Sequence, residues 1–133
     1  MLSDFIQEYR HRHFVWGETD CCQFAAAWLA RCTGRELSLL VGPYASERGA
    51  RRAIRKAGFT GLESLVNAHL GAPAAPLNLR RGDIGLVSTD DGPALGIVGG
   101  AVVWVMAPDG VANLPASALL KGWRIMEQMP CLR

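Results

Sequence analysis

Between Trp16 and Leu29 the chain reads Trp-Gly-Glu-Thr-Asp-Cys-Cys-Gln-Phe-Ala-Ala-Ala-Trp-Leu, and this stretch constrains the fold more than any other. Asp20 has the character of a helix N-cap, because its carboxylate can accept from the backbone N–H groups that a first helical turn leaves unpaired. Beyond it Phe24, Ala27 and Trp28 recur at helical spacing, with Arg31 at the rim. The alanines between them allow another element to approach closely, as a core helix requires. The spacing predicts a helix from Asp20 to about Gly34, a residue suited to the position just past a helix end. Cys21 then lies in the first turn, at the positive end of the helix dipole, which favours thiolate over thiol.

The remainder of the chain divides into a helical half and a strand half, which predicts an α+β class. A first helix is expected from about Ser3 to about His13, with Phe5, Ile6, Tyr9 and His13 on its apolar stripe. A third is expected over about Ser46–Ala57, stopped by Gly58, and a fourth from Thr60 to about Leu70. Thr60-Gly61-Leu62-Glu63 has capping-box spacing. Ala72–Pro76 reads as a hinge-like connector too short to separate domains. Strands are expected over Ile84–Ser88, Leu95–Gly99 and Ala101–Ala107, with a short one near Val111. Their turns are Asp90-Asp91-Gly92-Pro93, Val98-Gly99-Gly100-Ala101 and Pro108-Asp109-Gly110. A short helix near Pro115–Leu120 and an edge strand over Trp123–Met126 complete the reading.

At 133 residues, half of them hydrophobic, the chain is expected to form a single domain over 1–133 with a substantial core. No apolar run approaches the roughly 20 residues that span a bilayer. The first residues carry neither a basic nor an apolar segment of signal-peptide type, so synthesis in the cytoplasm is expected. A net charge of +2 is too small to argue for nucleic acid or a membrane surface. Cys21, Cys22, Cys32 and Cys131 follow neither a zinc nor a disulfide spacing, and the absence of a paired ligand motif speaks against an iron–sulfur centre. No metal or cofactor is expected.

Asp20-Cys21-Cys22-Gln23-Phe24, then Gly82-Asp83 at a strand start, then Ala94-Leu95-Gly96-Ile97-Val98 and Trp104-Val105-Met106-Ala107 fall in an order that resembles the NlpC-like cell-wall cysteine peptidases, a branch of the papain-like fold. The resemblance covers roughly residues 16–113. It implies N-terminal helices packed on a small antiparallel sheet, and it puts Cys21 at the nucleophile position. Ala94 falls where the family has its general-base His, and Met106 where it has a third polar residue. Neither side chain can take or hold a proton. A further similarity, over nearly the whole chain, is to small proteins of phage tail-gene clusters. It rests on Trp16–Phe24, Gly42-Pro43-Tyr44, Gly49-Ala50, Arg81-Gly82-Asp83 and Trp123-Arg124. That similarity implies a place in the virion at the tail tip, with other tail proteins (hub or distal tail) as partners and peptidoglycan as a further contact.

Two readings follow. In one the chain is a tail-tip structural or assembly component on a catalytically degenerate frame. In the other it is an active peptidoglycan-cleaving cysteine peptidase or amidase, with Cys21 as nucleophile and a base from an unexpected position. Attack on an amide requires a proton for the leaving amine, and a positioned acid–base group contributes typically 10²–10⁴-fold. Of His11, His13 and His69, His13 is nearest in sequence to the Cys21 turn. Trp16, Asp20, Asp83 and Trp104 are expected to line a substrate or partner surface. Asp83 reads either as a catalytic carboxylate or, more simply, as a turn or strand-start residue bonding nearby N–H groups. Arg48, Arg51, Arg52, Arg55 and Lys56 form either a docking patch for an acidic partner or a solvated helix face. Trp104 and Met106 alternate with Val103 and Val105, so one pair is expected to face the core.

Overall fold

The computed structural model describes residues 1–34 and 44–125, and the order of its elements follows the division into helices and strands. Four helices come first: α1 (Leu2–Tyr9), α2 (Cys21–Thr33), α3 (Glu47–Lys56) and α4 (Leu62–Leu70). Five strands follow: β1 (Ile84–Thr89), β2 (Gly92–Val98), β3 (Val102–Ala107), β4 (Gly110–Pro115) and β5 (Leu119–Trp123). Short 3-10 turns at Pro76–Asn78 and Ala116–Ala118 precede β1 and β5.

Each helix start has a local chemical cause. Asp20 and Ser46 accept with their side chains from the N–H groups of Gln23 and Gly49, three residues on. At α4 the box falls one residue later than the sequence suggested. The Ser64 hydroxyl, not Glu63, accepts from the Gly61 N–H at 3.2 Å, and Glu63 reaches Lys121 on β5 instead. Helix α1 ends at Tyr9, so His13 lies outside it and is exposed. Of the expected edge strand, Trp123 is the last residue of β5, and Met126 lies outside the described residues. The described chain is thus α+β, with helices on an antiparallel sheet, and no helix in it is long and apolar enough to cross a membrane.

The sheet runs β4-β3-β2-β1-β5, with every pair antiparallel. Its outer strands, β4 and β5, are joined by only three residues, 116–118. Laid flat, strands at the two ends of a five-stranded sheet stand about 19 Å apart. The four steps from Pro115 to Leu119 span at most about 14 Å. The sheet therefore curls into an open barrel, and its two faces acquire different occupants.

The inner face holds Val87, Val103 and Val105, with Ala94, Ala112, Leu114, Ala118 and Leu119 packed around them. This small barrel has no room for two large side chains where β1 and β2 cross, and Gly85 and Gly96 pair there. A Cβ on Gly85 would stand 2.6 Å from Leu119 Cδ2, and one on Gly96 would stand 2.8 Å from Val103 Cγ1. The outer face carries Ile84, Leu86, Leu95, Ile97, Met106 and Trp123, packed under Phe5, Phe24, Trp28, Ile54, Leu65 and Val66 from the four helices. Trp28 Nε1 donates to the Gly82 carbonyl at 2.7 Å, and Trp123 Nε1 donates to Asn67 Oδ1 at 3.0 Å. These bonds tie α2 to the entry of β1, and β5 to α4.

Candidate functional site

The Cys21 site begins with the capping carboxylate. Asp20 is 1% exposed and its two oxygens take three donors. Oδ1 accepts from the Gln23 N–H at 3.0 Å, and Oδ2 accepts from the Gly17 N–H at 2.7 Å and the Tyr44 hydroxyl at 2.7 Å. Gln23 Nε2 donates in turn to Tyr44 Oη at 3.2 Å. Gly17 sits at φ +83°, and a Cβ there would stand 2.7 Å from the Tyr44 carbonyl oxygen. Only glycine satisfies both demands. The turn, the cap and the segment entering α3 are thus locked around one buried carboxylate.

Cys21 follows the cap and is partly buried, while Cys22 points into the core. The Cys21 thiol is held below the ordinary thiol pKa, chiefly by its hydrogen bond with the Cys22 thiol. A backbone N–H at Leu95 and that of Cys22 also lower it, against burial and the Asp20 charge, which raise it. Cys22 is pushed the other way, by its bond with Cys21 and by burial. Burial and the bond to Asp20 likewise raise the Tyr44 phenol.

The Leu95 contact follows from the pleat. Val98 donates to the Asp83 carbonyl on the β1 side, so the N–H of Leu95, three residues earlier, points to the β3 side. There the β2–β3 ladder contains only the pairs Ile97↔Trp104 and Val98↔Val103. The N-terminus of α2 lies against the uncovered part of β2.

The residues expected in the site distribute as follows. Cys21 and Asp20 sit together at the head of α2. Ala94 pairs with Val87 and packs in the barrel interior, on the opposite face of β2 from the outer-face residue Leu95. Met106 is buried in the main core, opposite Val111. Trp104 shares that outer face, while Val103 and Val105 face the barrel interior. Trp16 is half-buried and stacks edge-on against Phe14 at 4.8 Å. Asp83 is buried at the start of β1, where its carboxylate accepts from the Arg80 N–H at 2.7 Å, the turn role open in the sequence.

All three histidines lie within the described residues, and none is among the groups that set the Cys21 thiol. His11 is exposed, the exposed His13 ring faces Asp109 at 4.0 Å, and His69 Nδ1 is 3.0 Å from the Leu65 carbonyl of its own helix. Among the described residues no group of three or more His, Cys, Asp or Glu side chains could hold a metal ion. Cys131, Gly42 and Pro43 lie outside those residues. On α3, Ala50 and Ile54 are buried and Arg48, Arg51, Arg52, Arg55 and Lys56 are exposed. Only Arg51 among these five forms an ion pair in the described residues, with Glu47.

Sequence reasoning missed the roles of Tyr44 and the Leu95 backbone. Tyr44 had a signal, the Gly42-Pro43-Tyr44 segment, but nothing in it said that the phenol would reach Asp20. Residues 1–125 match the family model described as a domain of unknown function, DUF6950, and the chain belongs to that family. Among curated proteins none matches it.

Proposed function

We propose that this member of the DUF6950 family is a non-hydrolytic structural or assembly component of a phage tail tip, built on an NlpC-like, papain-type frame whose catalytic machinery has decayed. The observation that carries the reading is the company of Cys21. Its thiol sits at a capped helix N-terminus with a lowered pKa, which is the arrangement of a nucleophile. The groups that act on it are Cys22, Leu95 and Asp20, and none of these is an imidazole. A thiolate without an acid to protonate the leaving amine returns to starting material more readily than it cleaves an amide. Met106, buried in the core, leaves no polar group at the third position. What persists is the head of α2, held by the Asp20 hydrogen bonds. On this reading the surface around the half-buried Trp16 beside it contacts other tail proteins.

The lowered thiol pKa also favours the alternative, an active peptidoglycan hydrolase. Digestion of purified peptidoglycan separates the two. Wild type and Cys21→Ala are incubated beside an active NlpC-type hydrolase, and released fragments are read by mass spectrometry. Two inert proteins beside a working control support the structural reading. Fragments from wild type alone overturn it. The virion assignment is tested separately, by quantitative mass spectrometry of purified phage particles and of tails stripped of their tips. Absence from both would refute it.

A further inference from the structure

Away from Cys21, α1 and the β3–β4 hairpin enclose a groove of about 320 Å³, toward the small end of the range for ligand pockets. Its lining combines three kinds of group. Ile6, Val111 and the indole of Trp104 give an apolar floor, Gln7 and Asn113 give amides, and Arg10 and Arg81 give two guanidinium groups. Among the described residues no acidic side chain lines it. We propose that this groove binds a small organic carboxylate carrying an apolar body.

The placement follows from the fold. Ile6 and Gln7 lie on one face of α1, and Arg10 follows at its C-terminal end. Trp104 and Asn113 are cross-strand partners, so their side chains share the outer face of the sheet, as do those of Met106 and Val111. Arg81 reaches in from the turn before β1. It is held there by the Ser3 hydroxyl at 3.0 Å and the Gly99 carbonyl at 3.3 Å. These bonds engage two of the five N–H donors of a guanidinium, which leaves the rest for a ligand. Arg10 is similarly steadied by Gln7 Oε1 at 3.5 Å.

The Trp104 Nε1 group is buried and has no hydrogen-bond partner among the described residues, whereas the indoles of Trp28 and Trp123 are both paired. Nε1 is packed over Gly99, where a Cβ would stand 2.6 Å from it, so the unpaired N–H serves as a nearby reporter on the groove and not as a donor open to a ligand. A carboxylate fits better than a phosphate ester. The guanidinium forks accept either anion, but the small volume and the apolar floor of Ile6, Val111 and Trp104 favour a compact, singly charged head on an apolar body.

The probe is N-acetylleucine, compared with its uncharged amide and with an acetylated tripeptide ending in leucine. Binding is read from the indole ¹⁵N–¹H resonance of Trp104, assigned with Trp104→Phe. The acid is expected to shift that resonance in a saturable way and the amide to leave it unmoved. Arg81→Gln and Arg10→Gln should each weaken the acid by about tenfold or more. Arg10 is an exposed helix-end residue, so its replacement leaves folding intact even if Arg81→Gln does not. A tripeptide that binds more tightly than the single residue identifies the ligand as a peptide C-terminus. Equal affinities identify it as a free small acid, and both outcomes uphold the carboxylate chemistry. Equal binding of acid and amide, no shift at millimolar probe, or wild-type affinity in both arginine variants would overturn the proposal.

Discussion

Replacing Asp20 by alanine should cost this protein about 3 kcal/mol, and the estimate can be built bond by bond. The carboxylate holds three donors: the Gln23 N–H, the Gly17 N–H and the Tyr44 hydroxyl. Loss of an N-cap acceptor alone costs typically about 1 kcal/mol. A donor stranded without a partner costs a further 1–3 kcal/mol or so when buried. Gly17 is exposed and Tyr44 only half-buried, so water recovers part of those two, and the total stays near the lower end of the sum. For a domain of this size the loss corresponds to a fall in Tm of roughly 10–15 °C. Urea unfolding followed by far-UV circular dichroism measures it. Asp20→Asn keeps one acceptor oxygen for the cap and should lose less than half as much. It also carries a second readout, because the Asp20 charge raises the Cys21 thiol. Removing that charge should shift the pH–rate profile of Cys21 alkylation to lower pH. A loss below about 1 kcal/mol for Asp20→Ala, less than a single ordinary cap is worth at its mean, would refute the claim that this carboxylate organises the head of α2.

Three further outcomes are expected. Gly96→Val places a branched side chain where a single Cβ already meets Val103 and Val105 at 3.0 Å or less. It should destabilise by at least about 1–3 kcal/mol in chemical denaturation, and a neutral result would mean the barrel is less tightly curled than its connection requires. Cys22→Ala removes the thiol that most lowers Cys21, so the midpoint of Cys21 alkylation by iodoacetamide should move up toward the free-thiol value of about 8.5; an unchanged midpoint would assign the lowering to the helix terminus and Leu95. Tyr44 has its pKa raised in the fold, first by burial and then by Asp20. Its contribution to stability is therefore complete below the unfolded value of about 10 and is lost as pH rises through and beyond it, so wild type should lose more stability than Tyr44→Phe between pH 9 and 11 or thereabouts.

Much of this architecture was legible in the chain because local chemistry decides it. Asp20 and Ser46 cap where a short acceptor precedes apolar periodicity, and the strands divide at the three expected turns, although Gly92 and Pro93 of the first open β2 and Gly110 of the third opens β4. The Asp83 carboxylate bonds within three residues, so its turn role could be read without a fold. What the sequence did not disclose depends on curvature and on contacts between distant segments. That Tyr44 closes on Asp20 across 24 positions is a matter of how α3 enters the core. That Gly85 and Gly96 meet inside a barrel follows from the three-residue link between β4 and β5, which constrains nothing until the strand order is known. The groove between α1 and β3–β4 has the same origin, since Arg10 and Arg81 are 71 positions apart in sequence.

The sharpest case is residue 94, where sequence order and sheet geometry lead to different expectations. On the proposed NlpC-like frame, sequence order puts Ala94 at the general-base position, which would bring an imidazole at 94 against the Cys21 thiol. The pleat points the other way. Successive strand residues alternate faces; Leu95 lies with the helices on the outer face, and Ala94 packs with Val87 in the barrel interior. Ala94→His should therefore leave the pH–rate profile of Cys21 alkylation within a few tenths of a pH unit of wild type, because its ring is directed to the wrong side of β2. An imidazolium in contact with the thiolate would instead draw the thiol pKa down into the range of about 3.5–7.5 seen beside such groups. Ala94 is half-buried near the open end of β2, so the variant retains a fold in which the comparison has meaning, as circular dichroism would verify. A downward shift of a unit or more, abolished by Cys21→Ala, would show that position 94 reaches the thiol and that the pleat argument fails. An unmoved profile would mean that restoring chemistry takes more than one histidine, because the strand beside Cys21 presents Leu95, through its backbone, where a base would have to stand.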